Sequence, residues 1–336
     1  MAELRRQLEI LARSPLPVVL VGETGTGKSY LAEHVIHARS AAKGPFVVTD
    51  LSTVPPTILP AHLFGSRRGA YTGSTEDEIA PNRSLSDRIH DAVEHDAWTL
   101  HWQPIVELSG GKVVGAEALI RWHDVNGGIV PPGQFLPIAE ELGLIESIGD
   151  WVVDEVGRQD AAWRAKGLEL LLSFNLAPRQ LWSAHLSEKL IGRLRDAGVA
   201  PGRVILDIAE GTAMADPERA QKVMAELQCW GLKLAIDDFG TAHSSFARLV
   251  NFPVDYLKID RQFVRGVDVE PGQAALVRAI TSLADSLSVS PVAVGVETEG
   301  EADFLRRLGV PFAQGFLFGR PMEGDAMVAS FATHGA

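Results

Sequence analysis

One cysteine, Cys229, among 336 residues cannot close an internal disulfide, and a cysteine-rich zinc site is excluded with it. No apolar run approaches the roughly 18 residues that a membrane span needs. The opening stretch, MAELRRQLEILAR, has the spacing of an amphipathic helix and lacks the apolar core of a signal peptide. A cytoplasmic chain with no membrane partner is therefore expected. Positive charge is also short, with 31 Lys and Arg against 43 Asp and Glu, a net charge of −12. The deficit is local: residues 1–80 carry eight of each sign, leaving 23 basic and 35 acidic residues for 81–336. That break predicts a domain boundary near residue 80. An acidic main domain argues against a broad nucleic-acid surface, although an anionic ligand is admissible where divalent metal and a few placed cations meet it. Hydrophobic content of 46% with 22% charged residues is ordinary for a globular protein. The length suits a domain of about 250 residues plus a smaller one.

Near the start, the apolar Val18–Val21 runs into Gly22-Glu-Thr-Gly-Thr-Gly27-Lys28-Ser29 and then a helical pattern to about Arg39. This is the GxxxxGK[ST] phosphate loop in its strand-to-helix setting: glycines free backbone N–H groups for phosphate oxygens, lysine neutralises them, and serine reaches Mg²⁺. With GPFVV at 44–48, Leu63-Phe64-Gly65 and Gly69-Ala70-Tyr71-Thr72-Gly73, this stretch resembles the start of the AAA+ domain of sigma-54-dependent transcription activators. The likeness covers roughly residues 4–75. Beyond Gly73 there is no strand ending in the Asp-Glu pair that polarises water, no sensor, no arginine finger and no helical lid. Phosphoryl transfer depends on those parts. ATP turnover is not expected, and Gly22, Gly27, Lys28 and Ser29 read as a vestigial loop or an interaction segment. The domain reading is a truncated P-loop fragment at 1–75, a connector and helix at 76–98, and the main domain at 99–336.

From residue 99 the pattern changes to strands alternating with helices. Strands are predicted near 99–107, 113–120, 170–176, 203–209, 232–237, 254–259, 291–296 and 311–317. Helical spacing fills Ser84–His95, Ile148–Ala165, Pro178–Ala197, Pro217–Trp230 and Gly272–Leu287. Eight strands with helical crossovers predict an α/β protein of the (β/α)8, TIM-barrel type. A doubly wound open sheet is the alternative, but the glycine pattern expected at its first strand is missing.

The chain is organised around Leu232–Leu249. An aliphatic run ends in two carboxylates, Asp237 and Asp238, followed by Gly240-Thr241 and then Ser244 and Ser245, which suit a helix start. Adjacent acids at the end of a buried strand repel each other and lose hydration, so a cation is the usual reason for them. The plainer alternative is one helix cap and one solvated acid. Barrel sites lie at strand C-terminal ends, and each predicted strand is expected to deliver a polar residue there. These are Gln103; Glu117 and Arg121; Asn175; Asp207 and Glu210; Asp237 and Asp238; Lys258 and Asp260; Glu297; and Gln314. Oxygen donors without cysteine or histidine favour Mg²⁺ or Mn²⁺, and neighbouring carboxylates could bridge two such ions for attack on a phosphodiester.

Gln103-Pro-Ile, Glu117-Ala-Leu119-Ile-Arg121, Phe174-Asn-Leu, Asp237-Asp-Phe-Gly-Thr241, Leu257-Lys-Ile-Asp260, Gln314-Gly-Phe and Gly319-Arg-Pro321 together resemble the EAL domain, over about Ser84–Glu323. The resemblance implies a barrel that binds cyclic di-GMP and, in active members, opens it to pGpG with divalent metal. It implies Glu117, Asn175, Asp207, Asp237 and Asp238 as metal ligands, with Lys258 orienting the attacking water. Gln103, Leu119, Arg121, Gln314 and Arg320 become ligand contacts. Glu210 and Thr241 support the DDFGT loop, and a homodimer through this domain or a protein partner in signalling follows. Two departures stand out. Asp207 is one methylene shorter than the family's glutamate, and Val294 replaces the first glutamate of Ala-Glu-Gly-Val-Glu. The loop also carries Ala242 and His243 in place of its usual glycine and tyrosine. Weak or absent hydrolysis is therefore expected, with a working phosphodiesterase as the alternative and a sigma-factor or AAA+ contact as a third.

Overall fold

The computed structural model describes residues 85–124, 128–240 and 249–328. The phosphate-loop residues Gly22, Gly27, Lys28 and Ser29, and the loop residues Thr241, Ala242 and His243, lie outside them. The described residues belong to the compact unit Ala80–Ala336.

Helix α1 (Leu85–Glu94) leads into β1 (Trp98–Glu107), β2 (Val113–His123) and the two-residue β3 (Ile129–Val130). Then follow α2 (Pro132–Glu141), α3 (Ile145–Ala165), β4 (Leu171–Asn175), α4 (Pro178–Leu181), α5 (Leu186–Asp196) and β5 (Val204–Ala209). The chain continues through α6 (Glu210–Ala215), α7 (Pro217–Cys229), β6 (Lys233–Phe239), β7 (Tyr256–Ile259), α8 (Arg261–Val264) and α9 (Pro271–Ser286). Last come β8 (Ser290–Val294), α10 (Glu299–Leu308) and β9 (Phe312–Gln314). The pairing order β1-β9-β8-β7-β6-β5-β4-β2, with β2 returning to β1, closes a ring of eight strands. Proline opens α2, α4, α7 and α9, where its missing N–H costs nothing.

The barrel is not uniformly parallel. β1 runs antiparallel to both β2 and β9, while the remaining pairs of the ring are parallel. The reason is local: Leu108–Lys112 is far shorter than the dozen residues a parallel crossover needs, and Gly111, at φ 68°, lets it turn back as a hairpin. The expected helix over Pro178–Ala197 is two helices, and the Trp182 carbonyl between them accepts from Arg219 Nη2 (2.8 Å).

Alternation along the strands sorts the core into two shells. Outward residues such as Leu172, Phe174, Leu206, Ile208, Leu234, Ile236 and Ile259 are buried against the helices. α1 contributes Ile89 and Ala92 to a second cluster, with Trp98, Trp122 and Phe135. Inward, Ile205, Ala235, Tyr256 and Val292 form an apolar floor with Leu171 and Phe312. Two residues further along these strands the inward positions turn polar, except on β8, where Val294 follows Val292.

Candidate metal and ligand site

That polar layer comprises Gln103, Glu117, Ser173, Asp207, Lys258 and Gln314, all buried. Alternation makes it: Ile205 then Asp207, Tyr256 then Lys258, Leu171 then Ser173, Phe312 then Gln314. The expectation that each strand presents its polar residue at a shared C-terminal end needs correcting here. Gln103 lies mid-strand on the antiparallel β1, opposite Glu117, which is itself interior to β2. Asn175 and Asp237 do lie at the mouth-side ends of β4 and β6.

Lys258 is the hub. Its Nζ donates to Asp207 Oδ2 at 2.6 Å, lies 3.2 Å from Glu117 Oε2 and stands 4.0 Å from Asp237 Oδ2. Ser173 Oγ also donates to Asp207 Oδ2, at 2.6 Å. Glu117 takes Asn175 Nδ2 on one oxygen (2.9 Å) and Gln314 Nε2 on the other (2.7 Å). Gln314 Nε2 reaches Gln103 Oε1 as well, and Gln103 Nε2 donates to the Gly319 carbonyl. Burial would raise Glu117, but Lys258 and the two amide donors outweigh it and hold its carboxyl below the usual range. Burial opposes the charge on Lys258, yet Asp207, Glu117 and Asp237 keep its pKa well above that of free lysine. Asp207 loses most water. Burial, aided by Glu117 and Asp237 and opposed by Lys258, pushes it up to about 7.

Oxygens of Glu117, Asp207 and Asp237 all lie within 4.8 Å of one another. The ammonium offsets one of these three charges. Asp207 Oδ1 is buried with no hydrogen-bond partner. A compact set of hard oxygen donors, one of them unsatisfied, suits a divalent cation.

Beside this cluster β6 runs past its expected end at residue 237 and continues to Phe239. Its pairing with β7 slips between Ile236 and Phe239, and Asp238 adopts φ 54°, the left-handed region that aspartate tolerates better than most residues. Alternation from Ala235 keeps Asp237 inward, and the irregularity turns Asp238 aside, its backbone N–H donating to Asp237 Oδ1 (2.8 Å). Burial, Asp237 and Asp260 push the Asp238 carboxyl up to about 6. Glu210, fully buried, accepts from the Gly240 N–H (2.8 Å) and so anchors the exit of β6.

The EAL domain family model matches residues 86–321. The chain belongs to the EAL domain family. The Sigma-54 interaction domain model matches residues 1–82. The bifunctional diguanylate cyclase/cyclic di-GMP phosphodiesterase MucR of Pseudomonas aeruginosa is 40% identical over 248 residues, which is 73% of this chain and 36% of MucR. Cyclic di-GMP phosphodiesterase PdeR of Escherichia coli is 36% identical over 242 residues, 72% of this chain and 36% of PdeR. The chain thus spans about a third of the length of these curated relatives. The solved PaMucR phosphodiesterase in complex with c-di-GMP has 39% identity and a TM-score of 0.69, covering 72% of this chain and 99% of that one.

In this EAL domain Val294 ends β8 in register with Gln314. By alternation from Val292 on the floor it faces the barrel interior, where it supplies no donor. Glu297 cannot take its place. Gly295, at φ 82°, turns the chain out of the strand, and Glu297 lies exposed with its backbone N–H donated to Glu301 Oε2 (2.8 Å). Leu119 and Arg121 lie on the mouth face of β2, Arg121 donating to the Ile120 carbonyl (2.9 Å). Arg320 is exposed and stacks over Phe316, 4.2 Å from its centroid. Sequence reasoning passed over Ser173, although its place between Leu171 and Asn175 in LLSFN puts it on the inward face.

Proposed function

We propose that this EAL domain binds cyclic di-GMP and hydrolyses it weakly or not at all, serving as a ligand-responsive module in signalling. Val294 carries the reading: an apolar side chain stands at the inward end of β8 where the family places a glutamate. Glu117, Asn175, Asp207 and Asp237 would hold a Mg²⁺ or Mn²⁺ ion, with Asp238 available to a second. Such an ion, when bound, supplies the Lewis acidity that lowers the pKa of water next to a phosphodiester. Asp207 reaches Lys258 and Ser173 but leaves only Oδ1 for a metal. Lys258 keeps its proton and holds the carboxylates in place. Arg121, Gln103 and Gln314, with Leu119 and Arg320, would contact the ligand independently of position 294. Homodimerisation through this domain and a protein partner downstream belong to the same reading.

A working phosphodiesterase is the second reading, favoured by the unsatisfied Asp207 Oδ1 inside an intact three-carboxylate cluster. Calorimetric titration with cyclic di-GMP, with and without Mg²⁺, beside a pGpG assay separates the two. Under the first reading the chain binds, turns over poorly, and gains rate in Val294→Glu. Val294→Glu combined with Asp207→Glu gains several orders of magnitude, if each carboxylate returns roughly 2–4 kcal/mol of transition-state stabilisation. A wild-type rate matching that of the double variant would establish the second reading instead.

A further inference from the structure

The strands β1 and β2 extend beyond the pairing that closes the barrel. β9 pairs only with Ile105–Glu107 of β1, and β4 only with Gly115–Ala118 of β2. Beyond the Gln103–Glu117 pair the two strands continue as a ribbon, matching His101 with Leu119 and Thr99 with Arg121. Its two faces differ. Trp98, Leu100 and Trp102 are buried in the helical layer, while Thr99 and His101 are only partly buried. Gln103 is one of the buried polar layer, so alternation places His101 and Thr99 above it on the mouth side. His101 therefore stands between the amide layer and the mouth, across the strand from Leu119 and within electrostatic range of Arg121, Glu323 and His123.

We propose that His101 is a base-reading residue of the ligand site, its imidazole accepting a hydrogen bond from an N–H on the Watson–Crick edge of one guanine of cyclic di-GMP. This rests on the cyclic-di-GMP reading above and deepens it. The ring has the Pro321 carbonyl beside it as an acceptor for one N–H, on the segment where Met322 and Trp102 exchange backbone hydrogen bonds. A neutral imidazole that donates from one nitrogen accepts at the other. Burial, followed by Arg121 and His123, holds the ring pKa below 6.5 against the opposing pull of Glu323, so the acceptor form prevails at neutral pH. Guanine offers N1–H and its 2-amino group to such an acceptor. Adenine presents a bare N1 where guanine has N1–H, and its one donor, the 6-amino group, stands where guanine carries O6, so in the guanine pose two lone pairs face each other. A phosphate, being acceptor only, gains nothing from this tautomer.

The test is calorimetric titration of cyclic di-GMP and cyclic di-AMP into the full chain, wild type against His101→Leu and His101→Gln, at equal Mg²⁺. His101→Leu is expected to weaken cyclic di-GMP binding roughly tenfold while cyclic di-AMP affinity and melting temperature stay unchanged. His101→Gln, whose amide oxygen accepts, is expected to retain affinity within about threefold, and it carries the test should the leucine variant not fold. Equal loss for both dinucleotides, no loss for either, or glutamine behaving as leucine overturns the assignment. A wild-type chain that binds no cyclic di-GMP at high micromolar concentration overturns the functional reading beneath it, a result distinct from all three.

Discussion

At the scale of single residues, Lys258 decides how the site holds together. A buried ammonium within 4.0 Å of three carboxylates satisfies the buried charges of Glu117 and Asp207 and attracts the partly exposed Asp237. Lys258→Met should destabilise the fold by about 3–5 kcal/mol near pH 8, the scale for leaving buried charge unpaired. Part of that loss should return at pH 5. Asp207, already pushed up to about 7 with the lysine present, binds its proton more tightly when folded than unfolded, so stability rises as pH falls through that window. Urea unfolding at the two pH values checks this, and a pH-independent loss would contradict it. Asp238 makes a second expectation. A carboxyl pushed up to about 6 takes a proton below that pH, and a metal must displace it. Mn²⁺ affinity should fall as pH drops through about 6 in wild type, and Asp238→Asn should flatten that step in the titration.

Elements matter through where they stop. β8 ends at Val294, and the loop that follows is tied down by one side chain of α10. Glu301 is buried and forms a capping box with Thr298, and its two oxygens accept from the Gly266, Glu297 and Thr298 backbone N–H groups. Glu301→Ala strands those donors and removes the box, and is expected to cost about 2–3 kcal/mol in chemical unfolding. Because the same loop leaves β8 beside the site, Val294→Glu should gain less activity in a Glu301→Ala background than alone. Additive gains would show that the loop does not position the restored carboxylate. The buried Asp160, paired with the more exposed Arg203 and Arg164, fastens the start of β5 and the end of α3 in the same manner.

For the whole molecule, the acidic unit from Ala80 contains the entire carboxylate cluster. The segment that matches the Sigma-54 interaction domain model carries a phosphate loop without the acid that polarises water. Lys28→Ala should therefore leave cyclic-di-GMP binding and turnover at wild-type levels, and the chain should show no ATP hydrolysis. ATP turnover abolished by that substitution would assign the first 82 residues a catalytic role that their sequence does not support.

Periodicity by itself determined the eight strands and most helices, because inward and outward residues differ sharply in polarity along each strand. The Asp237-Asp238 pair and the spaced Glu117, Asn175, Asp207, Lys258 and Gln314 were legible for the same reason: a polar residue within an apolar alternation stands out. Direction was not read. The SGG turn at Ser109-Gly110-Gly111 is too short for a crossover, and that reverses β1 and places Gln103 mid-strand against Glu117. Nor could local sequence give Ser173 its bond to Asp207, the bulge that turns Asp238 aside, or His101 its neighbours Leu119, Arg121 and Pro321. Those depend on register between segments up to some 220 positions apart, which no local pattern encodes. Only closing the ring brings these residues to one mouth.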